Sequence, residues 1–413
     1  MIRSFGLGSV SVVAAASRSP SGPDRFKRAS VAAGVSAAGS DDAVLWRERA
    51  RRLAESELRP IAAEIDRSDR IPASVPAALA RGGFFGLGLP TTWGGVGGGA
   101  RVLAAVLEEI ARGSAAVAVE LAVHLSVCAQ PILTHGTEEQ RARWLPPLAR
   151  GELLGAFALT EPGAGSDAAA LRTSYRRLEG SFELSGSKMF ISNAASGGVV
   201  VVFATRDPAL GGKGISAFVL PPATPGVAVT QRLDKLGLRG SSTTELVLTN
   251  VRLGEDALLG PEGDGLKVAL RALSGGRIGI AACALGVARA AFETMRRSVR
   301  AADAEGPRTA LARAYTELAA AEAVVARAAE RKDAGEEFVL EASVAKFLAS
   351  RAAVSIASAG VEIAGAGGVV RGAEAERLYR DARVFPIVEG TTEIQELIVA
   401  RRLLEAADER TVL

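Results

Sequence analysis

The chain is poor in the residues that most often build metal sites and disulfides. Its 413 residues include only two cysteines, Cys128 and Cys283, and two histidines, His124 and His135. Two isolated cysteines cannot form a disulfide framework, and so few cysteines and histidines argue against a zinc site. We therefore predict a protein without a bound metal, in a reducing compartment.

Aromatic residues and runs of like charge are also scarce. Aromatic residues make up only 5% of the chain, and 49 Lys and Arg are dispersed among 46 Asp and Glu, for a net charge of +3. Without a basic run or interleaved aromatics, nucleic-acid binding is disfavoured. The apolar run Val10–Ala16 is far too short for a membrane span, so we expect none. The composition is that of a soluble globular protein with two or three domains.

Residues 1–40 differ in composition from the rest of the chain. They are rich in Ser, Ala, Gly and Arg, and Asp24 is their only acid. This composition is typical of a transit peptide, but a disordered leader or a start codon assigned too early fits equally well. We therefore predict a cytoplasmic protein, or a protein of the mitochondrial matrix if the segment is a transit peptide.

From Asp41 onward the hydrophobic periodicity divides the chain into three blocks. Residues 41–153 are helical, residues 154–262 have strand patterns, and residues 263–413 return to long Ala-rich helices. The first block contains helices Leu45–Asp66, Arg101–Arg112 and Glu138–Leu148. The second contains strands Ser181–Ser192 (with a turn at Ser185–Gly186), Gly198–Ala204, Ile215–Leu220 and Thr244–Leu248. The third contains helices Leu266–Arg300, Arg308–Lys332, Leu340–Ala364 and Ile394–Ala407, which favour a bundle.

One glycine-rich segment imitates a nucleotide-binding motif. Gly95–Ala100 fits the G-x-G-x-x-A pattern and precedes a predicted helix. A dinucleotide fingerprint also needs a strand before it, and Phe85–Pro90 is short and carries two glycines. We therefore interpret the segment as a Gly-rich surface turn.

Glu389 is the most informative single residue. It lies in the segment Val388–Gln395, directly before Gly390. Thr392 and Gln395 have capping-box spacing, which predicts that a helix begins at Thr392 and places Glu389 on a short loop at its N-terminus. A carboxylate held there suits a base that must reach one carbon atom. An ordinary helix-start carboxylate, favoured by the helix dipole, is the alternative.

Two segments of the β block present groups suited to a flat ligand. Phe157–Asp167 reads as a strand that ends in a Pro/Gly turn, whose hydroxyls and backbone N–H groups can approach a polar ring or a phosphate closely. Lys188–Asn193 alternates an aromatic side chain and a hydroxyl with core residues, so the aromatic ring can pack on a ring system. A plain β-turn and ordinary core packing are the respective alternatives.

In this order, the segments resemble the acyl-CoA dehydrogenase family over about residues 41–408. The resemblance also rests on Leu89-Pro90, Trp93–Gly95, Gly136–Gln140, Leu236–Ser241, Gly276–Ala281 and Arg377–Arg383. It implies an α+β, mostly α fold: an N-terminal helical domain, a middle β-barrel or sandwich domain and a C-terminal four-helix bundle. It also implies a homodimer or homotetramer.

The resemblance implies an FAD-dependent enzyme of fatty acid metabolism. The family oxidises an acyl-CoA thioester to the trans-2-enoyl thioester and commonly passes the electrons to an electron-transfer flavoprotein. Glu389 matches the base that removes the α-proton, while the β-hydride goes to flavin N5. The positions that match flavin contacts are Phe157, Leu159, Thr160, Gly165, Ser166, Phe190, Ile191, Ser192, Thr391 and Glu393. Those that match substrate contacts are Ser166, Ser274, Arg277, Gly390 and Arg401.

Three departures from the family pattern leave alternatives open. The connection Arg296–Pro307 lacks the family's Phe-Gly and is shorter. Glu362 replaces a Gln near the FAD diphosphate, where like charge disfavours binding. Val388 replaces a Tyr beside the base. Two other hypotheses therefore remain: an acyl-carrier-protein thioester dehydrogenase or oxidase on the same scaffold, or a non-catalytic partner subunit with weakened FAD binding.

Overall fold

The fold is described from a computed structural model, which covers residues 40–301 and 305–407. The predicted leader therefore lies, apart from Ser40, outside the described residues, and so does the middle of the connection 296–307.

Short helices form the N-terminal part of the described chain. The α-helices are α1 (Ser40–Leu53), α2 (Ala62–Ser68), α3 (Ser74–Arg81), α4 (Ala100–Gly113), α5 (Ala115–Ala122), α6 (Gln130–His135) and α7 (Glu138–Ala149). The prediction of one continuous helix over Leu45–Asp66 is wrong. A π-helical turn, Ala54–Leu58, and a 3-10 turn, Arg59–Ile61, interrupt it, and Pro60 within the 3-10 turn has no N–H for an α-helical hydrogen bond.

The middle of the chain forms one mixed sheet of eight strands. These are β1 (Gly155–Ala158), β2 (Ser174–Leu178), β3 (Ser181–Ser192), β4 (Val199–Thr205), β5 (Ile215–Leu220), β6 (Val227–Arg232), β7 (Thr243–Gly254) and β8 (Leu258–Leu259). The strand order is β6-β7-β3-β2-β4-β5-β8, and β1 pairs with β4 in parallel. The predicted turn at Ser185–Gly186 is wrong: β3 is continuous there, with only a shift in its register with β7 between Leu184 and Gly186.

Both faces of the sheet are buried, each in its own cluster of apolar side chains. Along β4, Val199, Val201 and Phe203 point into a cluster shared with the helices that cover the sheet, while Val200 and Val202 point the other way. The second cluster draws its side chains from β2, β3, β4, β5 and β7, so the sheet curves around a core of its own. Alternation of this kind follows from the two-residue period of a strand.

Long helices make up the rest of the chain. They are α8 (Gly265–Ala301), α9 (Glu305–Asp333), α10 (Val339–Ala364), α11 (Glu374–Ala382) and α12 (Thr392–Ala407), with a 3-10 turn over Gly365–Val369. Helices α8, α9, α10 and α12 form the predicted bundle. Its core is continuous with that of the N-terminal helices, since Val106, Leu107 and Ile110 of α4 and Ile280 and Leu285 of α8 belong to one buried cluster.

The glycine-rich segment before α4 follows a 3-10 turn and not a strand, so it is not a dinucleotide fingerprint, but it is a half-buried loop bridged to Leu87 at Gly97 and not the predicted surface turn. A carboxylate of the protein itself occupies the N-terminal end of α4. Asp333 Oδ1 accepts a hydrogen bond from Ala100 N at 2.5 Å, and Oδ2 accepts one from Arg101 N at 3.0 Å. These are the N–H groups that a phosphate would contact in a dinucleotide site. Asp333 thus satisfies the helix N-terminus and attaches α4 to the end of α9.

Three long apolar helical segments in the described part of the chain meet the length and hydropathy of a membrane span. They are Ala115–His135, Gly265–Val299 and Val339–Val369. The first two are 78% buried inside the protein, and the third 33%. Packing within the fold therefore accounts for the apolar residues of the first two.

Candidate functional site

Glu389 lies in a tight loop between α11 and α12. Its φ of +52° and the +94° of Gly390 place both residues in left-handed backbone, which is uncommon for a residue other than glycine. Helix α12 begins at Thr392, as predicted, but not through the predicted capping box. Thr391 Oγ1 accepts the bond from Ile394 N at 3.4 Å, whereas Gln395 Nε2 donates to the Gly390 carbonyl at 3.0 Å.

The Glu389 carboxylate is shielded from solvent and has no hydrogen-bond partner among residues 40–301 and 305–407. Both of its oxygens are inaccessible to water. It lies against α8 at Gly276, where a β-carbon would collide with Oε2 and would stand only 3.1 Å from Cγ1 of Val127. Burial raises the pKa of Glu389 to about 7, even though Arg277 and Lys346 act in the opposite direction.

Two buried cations flank the carboxylate. Arg277 of α8 is 5% exposed, and burial lowers its pKa while Glu389 raises it. Lys346 of α10 is 0% exposed, and its Nζ donates to the carbonyls of Pro386 at 3.3 Å and Gly390 at 2.7 Å. A carboxylate that is both desolvated and poised near neutral pH is suited to accept a proton from a weak carbon acid.

The sheet presents an exposed aromatic ring beside a hydroxyl. Lys188 pairs with Leu246 of β7 and Ile191 with Thr244, so β3 has one residue more than β7 between these pairs, which is a β-bulge. The bulge places Phe190 at a φ of +61° with 61% of its surface exposed, next to the half-buried Ser192. A bulge of this kind turns a side chain that would otherwise follow the strand's alternation.

A buried ion pair fixes the neighbouring loop to the same strand. Lys188 Nζ donates to Glu161 Oε1 at 2.7 Å and to the Leu159 carbonyl at 3.2 Å. Glu161 also accepts from the backbone N–H groups of Arg172 and Thr173. The Met189 N–H donates to the Thr160 carbonyl at 2.9 Å, so the Thr160 loop and the Phe190 bulge form one rigid surface.

The π-helical turn Val123–Ala129 joins this surface to the base. Val127 lies against Gly276, the residue on which the Glu389 carboxylate rests. The next residue, Cys128, packs against Gly155 at the start of β1, where a β-carbon would stand 2.7 Å from Sγ. Strand β1 continues into Phe157 and the Thr160 loop. The carboxylate and the sheet surface are therefore held by the same short segment.

The sequence-predicted residues fall into three groups. Arg277 interacts electrostatically with Glu389, and Gly390, Thr391 and Glu393 follow Glu389 in the loop and the first turn of α12. The sheet and the loop after β1 hold a second set: Phe157, Leu159, Thr160, Phe190, Ile191 and Ser192. Gly165 and Ser166 are exposed, and Gly165 faces open space. Ser274 is half-buried on α8, with its hydroxyl bonded to the Leu270 carbonyl at 2.8 Å. Arg401 is exposed on α12. Its role stays a prediction.

The sheet surface fits a flat ring with a polar edge. The exposed ring of Phe190 offers an aromatic face, Thr160 and Ser192 offer hydroxyls, and the open space at Gly165 admits a close approach. Glu362, by contrast, is an exposed residue of the last turn of α10, and Val388 packs on the bundle core. The residues present at the ring side of the site therefore fit the isoalloxazine of FAD.

Four residues of the site were not found from the sequence. Three of them lie inside segments in which other residues were predicted to be functional: Gly276, Lys188 and Glu161. The fourth, Lys346, lies in a predicted helix for which no functional residue was proposed. The sequence did contain one sign of Lys346: within the predicted helix, this lysine has Ala and Ser residues on both sides. A charge on such an apolar helix face needs a buried partner.

Comparison with known proteins places the whole described chain in one family. Three family models match: Acyl-CoA dehydrogenase, N-terminal domain, over residues 40–152; middle domain, over 156–251; and C-terminal domain, over 263–404.

A short-chain specific acyl-CoA dehydrogenase, mitochondrial, of Bos taurus is 42% identical over 370 residues, covering 88% of this chain and 90% of that protein. The structure of butyryl-CoA dehydrogenase from Megasphaera elsdenii matches with a TM-score of 0.86 and 34% identity, over 89% of this chain and 99% of that one. A chain in the structure of the electron transferring flavoprotein of Acidaminococcus fermentans matches with a TM-score of 0.87 and 33% identity. The match covers 89% of this chain and 98% of that one.

Proposed function

This chain belongs to the acyl-CoA dehydrogenase family, and we propose that Glu389 is the base with which it removes the α-proton of an acyl-CoA thioester. It is an FAD-dependent oxidoreductase that converts an acyl-CoA to the trans-2-enoyl-CoA. The observation that carries the assignment of the base is the Glu389 carboxylate, which is shielded from water, free of hydrogen-bond partners and has a pKa raised to about 7.

The environment of Glu389 suits this chemistry for physical reasons. A proton beside a thioester carbonyl is weakly acidic, so its base must be more basic than an ordinary carboxylate. Burial supplies that basicity, while Arg277 and Lys346 keep Glu389 from being fully protonated at neutral pH. We assign the backbone N–H of Glu389 as a donor to the thioester oxygen, where negative charge develops as the α-proton leaves.

The other half of the reaction requires the cofactor. FAD, when bound, accepts the β-hydrogen as a hydride at N5, which balances the loss of the α-proton to Glu389. We propose that Phe190 packs on the flavin ring and that Thr160 and Ser192 donate to its polar edge, with Phe157, Leu159 and Ile191 supporting them. Gly165 and Ser166 extend the same surface. Thr391 and Glu393 contact the cofactor at the start of α12, while Ser274, Arg277, Gly390 and Arg401 face the substrate.

The finer features of the function are also proposals. We propose an electron-transfer flavoprotein as the acceptor, because a chain in the structure of such a protein resembles this one. The relatives include a mitochondrial and a bacterial protein, so the cytoplasm and the mitochondrial matrix are both compatible with the function. A homodimer or homotetramer is proposed from the exposed apolar side chains of α12. The domain boundaries 41–153, 154–262 and 263–413 remain predictions.

The test of the base is anaerobic reduction of FAD-loaded protein by a panel of acyl-CoAs, starting with butyryl-CoA. The wild-type protein should lose its flavin colour in a single turnover, at a rate that rises with pH through about 7 and then levels off, because only the ionised Glu389 accepts a proton. Glu389→Gln should keep its FAD, but its flavin should be reduced more slowly by a factor of about 10³ or more. The reason is that both the general base and its positioning are lost.

Three outcomes would contradict the proposal. Wild-type rates in Glu389→Gln would show that another group is the base. If only acyl-carrier-protein thioesters bleached the flavin, the substrate would be a carrier-protein thioester and not a free CoA ester. A protein that never takes up FAD would match the non-catalytic hypothesis.

A further inference from the structure

Helix α10 carries a stripe of buried polar side chains. Ser343, Lys346 and Ser350 are each 0% exposed, and their spacing of three and four residues places them on one face of the helix. The other buried residues of α10 are mostly alanines that belong to the bundle core. Three polar groups in such surroundings would cost several kcal/mol if they were left without partners.

All three polar groups are directed at the site. Ser350 Oγ donates to the Phe385 carbonyl at 3.2 Å, and Lys346 Nζ donates to the carbonyls of Pro386 at 3.3 Å and Gly390 at 2.7 Å. Ser343 accepts from Arg277 Nη1 at 3.5 Å. The stripe therefore contacts both ends of the segment 385–390 and one of the cations beside Glu389.

The loop needs such a clamp because its backbone is strained. Glu389 has a left-handed φ of +52°, which is unfavourable for a residue other than glycine and persists only where the surroundings impose it. Lys346 bonds to the chain on both sides of Glu389, at Pro386 and at Gly390. Gln395 adds a second donor to the Gly390 carbonyl, at 3.0 Å. Pro386 O likewise keeps another donor, the Thr392 N–H at 2.8 Å, so the distinct contribution of Lys346 is that one ammonium group bonds to both carbonyls.

We propose that Lys346 is a positioning residue for the reaction: its ammonium group, anchored in α10, holds the segment Pro386–Gly390 so that the Glu389 carboxylate stays against Gly276 and in a positive field. This inference rests on the proposed role of Glu389 as the base. Lys346 acts through the loop backbone and need not touch the substrate.

The charges around the carboxylate predict a specific pH signature. Arg277 faces Glu389 from α8 and Lys346 faces it from α10, while Glu393 of α12 lies near Lys346 and partly offsets its charge. Burial lowers the pKa of Lys346 to about 8, with Glu389 and Glu393 acting to raise it and Arg277 to lower it. Removal of the ammonium group therefore leaves Glu389 with one cation instead of two, and its pKa should rise above about 7.

The experiment compares flavin reduction in three variants of the FAD-loaded full chain. Lys346→Met removes donor and charge, Lys346→Gln retains a shorter donor without the charge, and Lys346→Arg retains the charge. We expect Lys346→Met to slow reduction by about 10- to 100-fold, as small displacements of a catalytic group do, with little change in the Kd for butyryl-CoA. The midpoint of the pH–rate profile should move to higher pH in Lys346→Met and Lys346→Gln, and it should stay near the wild-type value in Lys346→Arg.

Lys235→Met is the matched control. Lys235 is a half-buried lysine that also donates to a backbone carbonyl, Ser241 O at 2.7 Å, but it lies in the connection between β6 and β7, where its charged neighbours are Asp69, Arg232, Asp234 and Arg239. It should change neither rate nor profile. If Lys346→Met only loosened the packing, it would lower the stability or the FAD content without moving the midpoint of the pH–rate profile. Wild-type rate and midpoint in both Lys346→Met and Lys346→Gln would overturn the inference, and so would a lower stability with an unmoved midpoint. An active Glu389→Gln would instead refute the base itself.

Discussion

At the residue scale, the site depends on the absence of a single methyl group. Gly276 gives the Glu389 carboxylate its resting place on α8, and a β-carbon there would overlap Oε2 and stand 3.0 Å from Cδ. We expect Gly276→Ala to displace the carboxylate and to slow flavin reduction by butyryl-CoA by about 100-fold, because a shift near 1 Å is enough for such a loss. FAD content should be unchanged, since the sheet surface is untouched.

Gly360→Ala is the control for this prediction. Gly360 also lies inside a bundle helix, but its β-carbon would make only ordinary contacts, with Met295 Cγ at 3.5 Å and the Ala291 carbonyl oxygen at 3.8 Å. It should leave the rate unchanged and raise stability slightly, by up to about 1 kcal/mol, because alanine is the better helix former. Equal rates in Gly276→Ala and wild type would mean that the carboxylate does not need its position on α8.

Sequence patterns reveal such residues unevenly. Glu389 was found because its neighbours mark a helix start and because it matches a family motif. Gly276 and Lys346 act through contacts with a loop more than 40 residues away in the chain, and no local pattern records such a contact. The predicted capping box shows the same limit, since Gln395 has the right spacing but its amide is drawn to the Gly390 carbonyl instead.

At the scale of elements, the ion pair between Lys188 and Glu161 holds the Thr160 loop to β3. The pair is 2.7 Å apart, and its side chains are 0% and 7% exposed. Lys188→Met would leave Glu161 as a buried anion with only backbone donors, which costs about 3–5 kcal/mol. We expect a lower free energy of unfolding in urea and faster loss of FAD on dilution, because the loop and the Phe190 bulge move together.

A second variant separates charge from packing. In Lys188→Met/Glu161→Gln the buried charge is gone, and the Gln carbonyl still accepts the bonds from Arg172 N or Thr173 N, so much of the stability should return. Lys267→Met, at the exposed pair with Asp264, should change stability by less than about 1 kcal/mol. If the free energy of unfolding and the FAD retention of Lys188→Met both equalled those of the wild type, the ion pair would not support the cofactor surface.

The elements themselves were largely predictable, and their irregularities were not. The long helices of the bundle and strands β3, β4 and β5 follow the hydrophobic periodicity within a few residues. The π-helical turns at Ala54–Leu58 and Val123–Ala129, and the bulge at Phe190, depend on how neighbouring elements pack. These irregular places include the residues that join the base to the sheet, which is where local patterns say least.

At the scale of the molecule, one core joins α1 to helices α8–α11, while exposed apolar side chains remain on the surface of the bundle. Leu397 and Leu404 of α12 are 64% and 74% exposed, and Ile387 just before that helix is 64% exposed. Apolar side chains gathered on one helix and the loop before it usually mark a protein interface. We therefore expect the FAD-loaded protein to be a dimer or tetramer at micromolar concentration, with α12 in the contact.

Sedimentation velocity tests this expectation directly. Leu397→Glu/Leu404→Glu should shift the protein to a smaller species, because two charges in a desolvated contact are strongly unfavourable. Leu210→Glu, which alters another exposed leucine, 43% exposed and remote from α12, should leave the assembly intact. A wild-type protein that sediments as a monomer would refute the assembly, and an unchanged oligomer in the double variant would place the contact elsewhere. Because Glu389 lies just before α12, the smaller species should also reduce its flavin more slowly if assembly steadies the loop.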